Sequence, residues 1–148
     1  MQESADGSCN GTDVRTTPGK ALLALGAIAL SLAGCGRADD RAAVGAVTER
    51  FLDAVAGDDG TRACAQLSPG AVRALEHDES EPCAEAARGL DLEHSPVARA
   101  QVFATEAKVD LADGGSAFLE LTPRGWRLSA AGCRPRPGDG PYECEVEA

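Results

Sequence analysis

The stretch TEAKVDLADGGSAFLELTPRGWRLSA, residues 105–130, alternates apolar and polar side chains along most of its length. This alternation is typical of antiparallel strands that bury one face and expose the other. It is interrupted by DGG at 113–115 and PRG at 123–125, and both sequences favour tight turns. The stretch therefore predicts three consecutive strands of a meander.

The apolar side chains of these strands are expected on the face that packs against helices. They are Ala107, Val109, Leu111, Leu119, Leu121, Trp126 and Leu128, with Ala130 on the same face. Upstream, the apolar residues Val102 and Ala104 occupy even positions, whereas those after Thr105 occupy odd positions. This change in the alternation predicts a bulge or bend near Thr105. Downstream, alternation over residues 142–147 predicts a last strand with Val146 on its apolar side.

Helical periodicity precedes the strands. Apolar residues recur at helical spacing over 41–56, with Asp39 or Asp40 as the expected cap and Gly57 as the end. Three shorter helices are predicted, over 61–67, from Ser68 to about residue 76, and over 80–89. Helices followed by an antiparallel sheet predict a single α+β domain over residues 41–148.

The composition limits both the core and the partners. The chain has 148 residues, 43% of them hydrophobic and only 3% aromatic, so Ala, Val and Leu must fill the core of one domain. Its net charge is −10. This charge disfavours a nucleic-acid binder that works by neutralising phosphates, since such proteins need dense Lys and Arg.

An apolar run lies at residues 21–32, after Arg15 and Lys20. As a helix it would reach about 18 Å, well short of the ~30 Å hydrocarbon core of a bilayer. Its length and its basic flank are those of a signal peptide, which we place at residues 14–34. A buried apolar helix that ends at a chance cysteine is the alternative.

The sequence LAGC at residues 32–35 resembles a bacterial lipobox. The resemblance implies cleavage before Cys35 and acylation of its thiol, with residues 35–40 as a short lipidated tether. Two or more acyl chains anchor a protein stably. The expected location is therefore the cell membrane, with the domain on the extracytoplasmic side.

Residues 1–13 do not fit a signal peptide. They carry Glu3, Asp6 and Asp13, whereas the region before the apolar run of a signal peptide is positively charged. Either the true start lies at Val14, or these residues form a disordered extension.

Four of the six cysteines belong to the predicted domain, because Cys9 lies in the extension and Cys35 at the lipobox. They are Cys64, Cys83, Cys133 and Cys144. An even number of thiols in an exported domain indicates disulfides, and proximity favours 64–83 and 133–144. A zinc site is the rival interpretation, but the chain contains no CxxC pair and no metal or cofactor is expected.

The segments 125–133 and 141–145, with Cys64 and Cys83, are similar to small lipoproteins of high-G+C Gram-positive bacteria. The layout of helices before a curved antiparallel sheet looks like an NTF2-like or cystatin-like cone. These resemblances imply a location and a scaffold. They imply no chemistry.

No catalytic residue is expected. His77 and His94 lie in polar stretches, and the acidic residues between 76 and 85 lack the glycines of a calcium loop, so both are interpreted as solvated surface. The predicted function is a non-enzymatic binding or accessory domain for a small apolar ligand or an envelope protein. The alternative is an NTF2-like isomerase or hydrolase with an unrecognised site.

Overall fold

The computed structural model describes residues 35–138 and 140–148, so the predictions for residues 1–34 lie outside it. The helices are α1 (Cys35–Ala56), α2 (Gly60–Cys64), α3 (Pro69–Glu79) and α4 (Cys83–Ala86), followed by a 3-10 turn (Ala87–Gly89). The strands are β1 (Val97–Phe103), β2 (Glu106–Leu111), β3 (Ser116–Thr122), β4 (Gly125–Cys133) and β5 (Val146–Glu147). The predicted α+β order is confirmed. None of the described helices has the length and apolar character needed to span a membrane.

The strands form one antiparallel sheet in the order β1-β2-β3-β4-β5. Both predicted turns are present. Gly114 and Gly125 have φ of 85° and 91°, values that glycine adopts without the steric cost a side chain would add. The Leu111 N–H donates to the Gly115 carbonyl at 2.8 Å and closes the turn between β2 and β3.

A bulge or bend is predicted near Thr105, and the structure has a full reversal of the chain there in place of a bulge. The chain turns at Ala104 and Thr105, and Phe103 pairs with Glu106 across the resulting hairpin. Ala104 has φ of 54°, which lets a two-residue turn form without glycine. The change of parity in the sequence therefore marks a hairpin between two strands.

The prediction that Ala130 shares a face with Leu128 was also wrong. Leu119 pairs with Leu128, but Phe118 pairs with Ala130, so β4 carries an extra residue between these pairs. A β-bulge of this kind shifts the parity of the residues beyond it. Ala131 consequently joins the core, while Ala130 is covered from the outer face by the C-terminal segment.

Leu121 differs from its prediction as well, because its side chain is 46% exposed. It lies opposite Trp126, at the end of the sheet. The predicted last strand is shorter than expected: only Val146–Glu147 pair regularly with β4, and an isolated bridge joins Glu143 to Arg134.

Helix α1 begins earlier than predicted. It starts at Cys35, so residues 35–40, predicted to be a tether, are helical. Asp40 consequently does not cap the helix. Its Oδ1 accepts a hydrogen bond from Nε1 of Trp126 at 3.2 Å, which ties the beginning of α1 to β4. The predicted end is confirmed, since α1 stops at Ala56, before Gly57.

The short helices have different bounds from those predicted, although Ser68 caps α3 as expected. Its hydroxyl accepts from the Ala71 N–H at 3.2 Å, and Pro69 follows at the first helical position. Helix α3 extends to Glu79 because Ser80 adopts φ of 56° and ends it. The fourth helix therefore starts at Cys83 and not at residue 80.

The core lies between α1 and the sheet, and small aliphatic side chains dominate it as the composition predicts. Its largest fully buried members are Phe51, Leu119, Leu128, Val44, Val109 and Val146. Two disulfides cross-link the chain, and they are the predicted pairs Cys64–Cys83 and Cys133–Cys144. The first joins α2 to α4, and the second holds the C-terminal segment against β4.

Candidate functional site

The best-organised polar group lies on the outer face of the sheet, opposite the helices. We call it the Tyr142 face and define it by Lys108, Asp110, Phe118, Pro141 and Tyr142. Lys108 and Phe118 are cross-strand partners, which places their side chains on one face. Tyr142 reaches this face because the neighbouring Cys144 is bonded to Cys133 at the end of β4.

Tyr142 contacts both an aromatic ring and a cation. Its ring packs edge-on against Phe118, with centroids 5.1 Å apart and planes at 73°. Nζ of Lys108 lies 5.1 Å from the Tyr142 centroid. Both are favoured arrangements of an aromatic ring, and they hold the half-buried Tyr142 in one orientation.

Asp110 is the anionic centre of the face. Its Oδ1 lies 2.8 Å from Nζ of Lys108 and accepts from the Ser116 hydroxyl at 3.2 Å. Its Oδ2 accepts from Nε2 of Gln101 at 3.4 Å. Three different strands therefore supply the hydrogen bonds to a single carboxylate, so its position is fixed by the sheet.

These contacts stabilise the charged forms of both groups. The hydrogen bond from Lys108 lowers the pKa of Asp110 below its ordinary value, although partial burial opposes the shift. The same hydrogen bond, with a smaller contribution from the side chain of Tyr142, raises the pKa of Lys108. Neither group is tuned towards neutral pH, where a general acid or base works best.

A depression of about 360 Å³ opens beside Tyr142. Its apolar lining comes from Phe118, Ala130, Pro141 and Ala148. Its polar lining includes Ser129 and Glu147. Two aromatic rings, Phe118 and Tyr142, line this recess, and the Tyr142 ring contacts Lys108. A recess of this composition suits the recognition of another molecule.

The pKa of Asp110 gives a prediction for acid stability. A carboxyl whose pKa is depressed on folding stabilises the protein above its unfolded pKa, and this contribution is lost as pH falls through the folded value. Asp110→Asn should therefore make the loss of stability below about pH 4 less steep. Urea unfolding at a series of pH values measures this slope. The control is Asp91→Asn, at an exposed carboxyl; equal slopes in all three proteins would contradict the prediction.

A second feature is a cleft of about 680 Å³ between the α2–α3 region and the turn that joins β3 to β4. We call it the arginine cleft because Arg73, Arg124 and Arg127 line it, beside Leu67 and Val72. Within the described residues, none of the three guanidinium groups has a carboxylate within 4.0 Å. In a chain with a net charge of −10, this is a local concentration of positive charge.

The histidines and the acidic run are exposed, and some of these groups contact other elements of the fold. His94 Nε2 lies 2.9 Å from Asp53 Oδ1 on α1. Glu76 Oε1 accepts from the Cys83 N–H at 3.1 Å, so this member of the acidic run caps α4. Within residues 35–138 and 140–148, no three His, Cys, Asp or Glu side chains converge as metal ligands.

The four cysteines predicted to form disulfides do so and cross-link the fold. The side chain of Cys35 lies outside the described part of the structure.

Neither the Tyr142 face nor the arginine cleft was predicted. The alternation in β2 already indicated that Lys108 and Asp110 lie on the face away from the helices. Tyr142, however, comes from a segment distant in the sequence. Among the described residues, the buried polar side chains are Thr48, Ser68, Ser95 and Ser116, and none of them is ionisable.

The chain was compared with protein families, with curated proteins and with solved structures, and none of them matches it.

Proposed function

We propose that this chain is a membrane-anchored extracytoplasmic lipoprotein whose domain binds a partner through the Tyr142 face. The lipobox-like sequence at 32–35 supports acylation of Cys35. The observation that carries export is the pair of disulfides, because such bonds form and persist in oxidising compartments. The described domain follows directly after the lipobox, so it would lie close to the bilayer.

The form of the Tyr142 face favours an envelope protein over a small apolar ligand. The helix-facing side of the sheet is filled by side chains such as Phe51 and Leu119, both fully buried. The recess beside Tyr142 is open to solvent, and the Tyr142 ring contacts Lys108 of the ion pair. Aromatic side chains are enriched at protein–protein contacts, and polar groups surround them at the rim.

Binding is also better supported than the enzymatic alternative. An isomerase of the NTF2-like type needs a carboxyl group in an apolar interior, where its pKa is raised. Asp110 lies on the outer face and its pKa is lowered. A carboxylate held in its charged form by Lys108 is a recognition group and a poor general acid.

We further propose that the α+β fold is an NTF2-like or cystatin-like cone. Two features support this proposal. Helix α1 packs across the sheet against β1 and β4. Register irregularities occur in the β1–β2 and β3–β4 pairs, and bulges of this kind bend a sheet.

Capture of the lipidated protein from detergent-solubilised membranes tests the binding function. Tyr142→Ala should reduce recovery of the specific partner by about tenfold or more, since truncation of a central aromatic side chain removes most of the contact energy. Mass spectrometry of the captured proteins and bound small molecules measures the recovery. Tyr142→Phe keeps the ring, so it should retain binding.

The matched control is Arg88→Ala, which alters an exposed side chain after α4. It should capture the same partner as the unaltered protein. Equal recovery by Tyr142→Ala would refute the Tyr142 face as the binding surface. A bound small molecule without any protein would favour the ligand form of the proposal.

A further inference from the structure

We propose that one end of the sheet lies against the surface of the bilayer. This end, which we call the turn end, consists of residues 103–105 and 121–125 and contains the turns from β1 to β2 and from β3 to β4. The inference rests on the proposed acylation of Cys35. It adds an orientation: the bilayer that holds the acyl chains covers the turn end.

Helix α1 fixes the direction. Its residue Asp40 accepts a hydrogen bond from Trp126, which directly follows the β3–β4 turn. Further along the helix, Leu52 lines a cleft with Asp113 and Gly115, which belong to the opposite end of the sheet. Helix α1 therefore begins at the turn end and runs away from it.

The start of α1 consequently lies on the turn-end side of Asp40. Cys35 precedes Asp40 by five residues of continuous helix, a rise of about 7–8 Å. A flexible tether would let the domain rotate freely above the membrane, whereas a helix that is hydrogen-bonded to β4 limits this freedom. Acylation at Cys35 would therefore bring the turn end towards the bilayer.

The turn end also carries exposed apolar side chains. Phe103 is 61% exposed and Leu121 is 46% exposed, and these are the large hydrophobic side chains that the described part of the protein leaves exposed. Both lie at the same end of the sheet, where the Leu121 N–H donates to the Thr105 carbonyl at 2.7 Å. Cross-strand pairing places Phe103 on the outer face and Leu121 on the helix face. Apolar side chains on both faces of one end suit insertion of that end between headgroups.

The charges at this end are mixed. Arg124, of the arginine cleft, lies in the β3–β4 turn itself, and Arg41 lies on the first turns of α1, beside Phe103. Glu106 pairs with Phe103 and with Glu120, so two carboxylates lie in the same row of the sheet as Phe103. Residues 122–125, nearest the tip, carry Arg124 and no acidic side chain.

Photo-crosslinking in the full-length protein, held in membranes, tests the orientation. A benzophenone-bearing phenylalanine replaces Phe103 or Leu121, and the matched controls carry it at the exposed Ala112 or Asp91, away from the turn end. We expect lipid adducts at 103 and 121 in several-fold higher yield than at 112 and 91. The mass of the N-terminal peptide in the same samples reports whether Cys35 is acylated.

The two readouts separate the two claims. An acylated Cys35 with equal lipid adducts at all four positions would overturn the orientation and leave the anchor intact. Adducts to a protein at 103 and 121 would overturn it too, because a partner would then cover the turn end. Preferential lipid adducts without acylation would support the turn end as a membrane surface and refute the anchor.

Discussion

Gly60→Ala is expected to destabilise the domain by about 3 kcal/mol or more, at or above the upper end of the usual overpacking range. A Cβ at this position would lie well inside the van der Waals distance of the Ala84 carbonyl oxygen and 2.7 Å from its carbonyl carbon. The obstacle is backbone, which cannot rotate away as a flexible side chain would. Helices α2 and α4 would have to separate. Urea or thermal unfolding measures the loss.

Gly89→Ala is the matched control, since a Cβ there meets nothing within 4 Å. Its effect should stay within about 1 kcal/mol, and the restriction of the unfolded chain favours a small gain. Similar losses in the two variants would contradict the close packing of α2 against α4.

Loss of the Cys64–Cys83 disulfide is the second large effect. Replacing both cysteines with alanine should lower the free energy of unfolding by about 3 kcal/mol, because the bond closes a separation of 19 residues in the unfolded chain. That is a large share of the 5–15 kcal/mol by which domains are typically stable. Helices α2 and α4 have five and four residues, and such short helices depend on cross-links and packing.

The Cys133–Cys144 pair provides the comparison for this prediction. Its removal should cost a similar free energy, about 3 kcal/mol, since the closed separation is 11 residues. It should in addition release Tyr142 and abolish partner capture, whereas the Cys64–Cys83 variant retains capture as long as it is folded. Unchanged stability in both double variants would contradict a structural role for the disulfides.

The sequence predicted those parts of the fold that local chemistry determines. Gly114 and Gly125 identified two turns, Ser68 and Pro69 identified the start of α3, and the spacing of the cysteines identified both disulfides. The turn at Ala104 and Thr105 was missed because neither residue is typical of a turn. The bulge in β4 was missed because Ala130 and Ala131 have the same side chain, so no pattern distinguishes the outer position from the buried one.

The surface features required the tertiary structure. The Tyr142 face joins Lys108 and Asp110 of β2 to a residue of the C-terminal segment, and their proximity follows from the disulfide and the pairing of β3 with β4. The arginine cleft likewise joins Arg73 of α3 to Arg124 in a distant turn. Each arginine alone is an ordinary surface residue, and their convergence on one cleft becomes apparent only in three dimensions.

We propose that a disulfide-bonded domain is anchored to the membrane through Cys35. Mass spectrometry, without reduction, of the mature protein purified from membranes tests this anchor directly. We expect a chain that begins at Cys35 with acyl groups attached, and linked peptides containing Cys64 with Cys83 and Cys133 with Cys144. A mature chain that retains residues before Cys35, or begins at Cys35 without an acyl group, would contradict it.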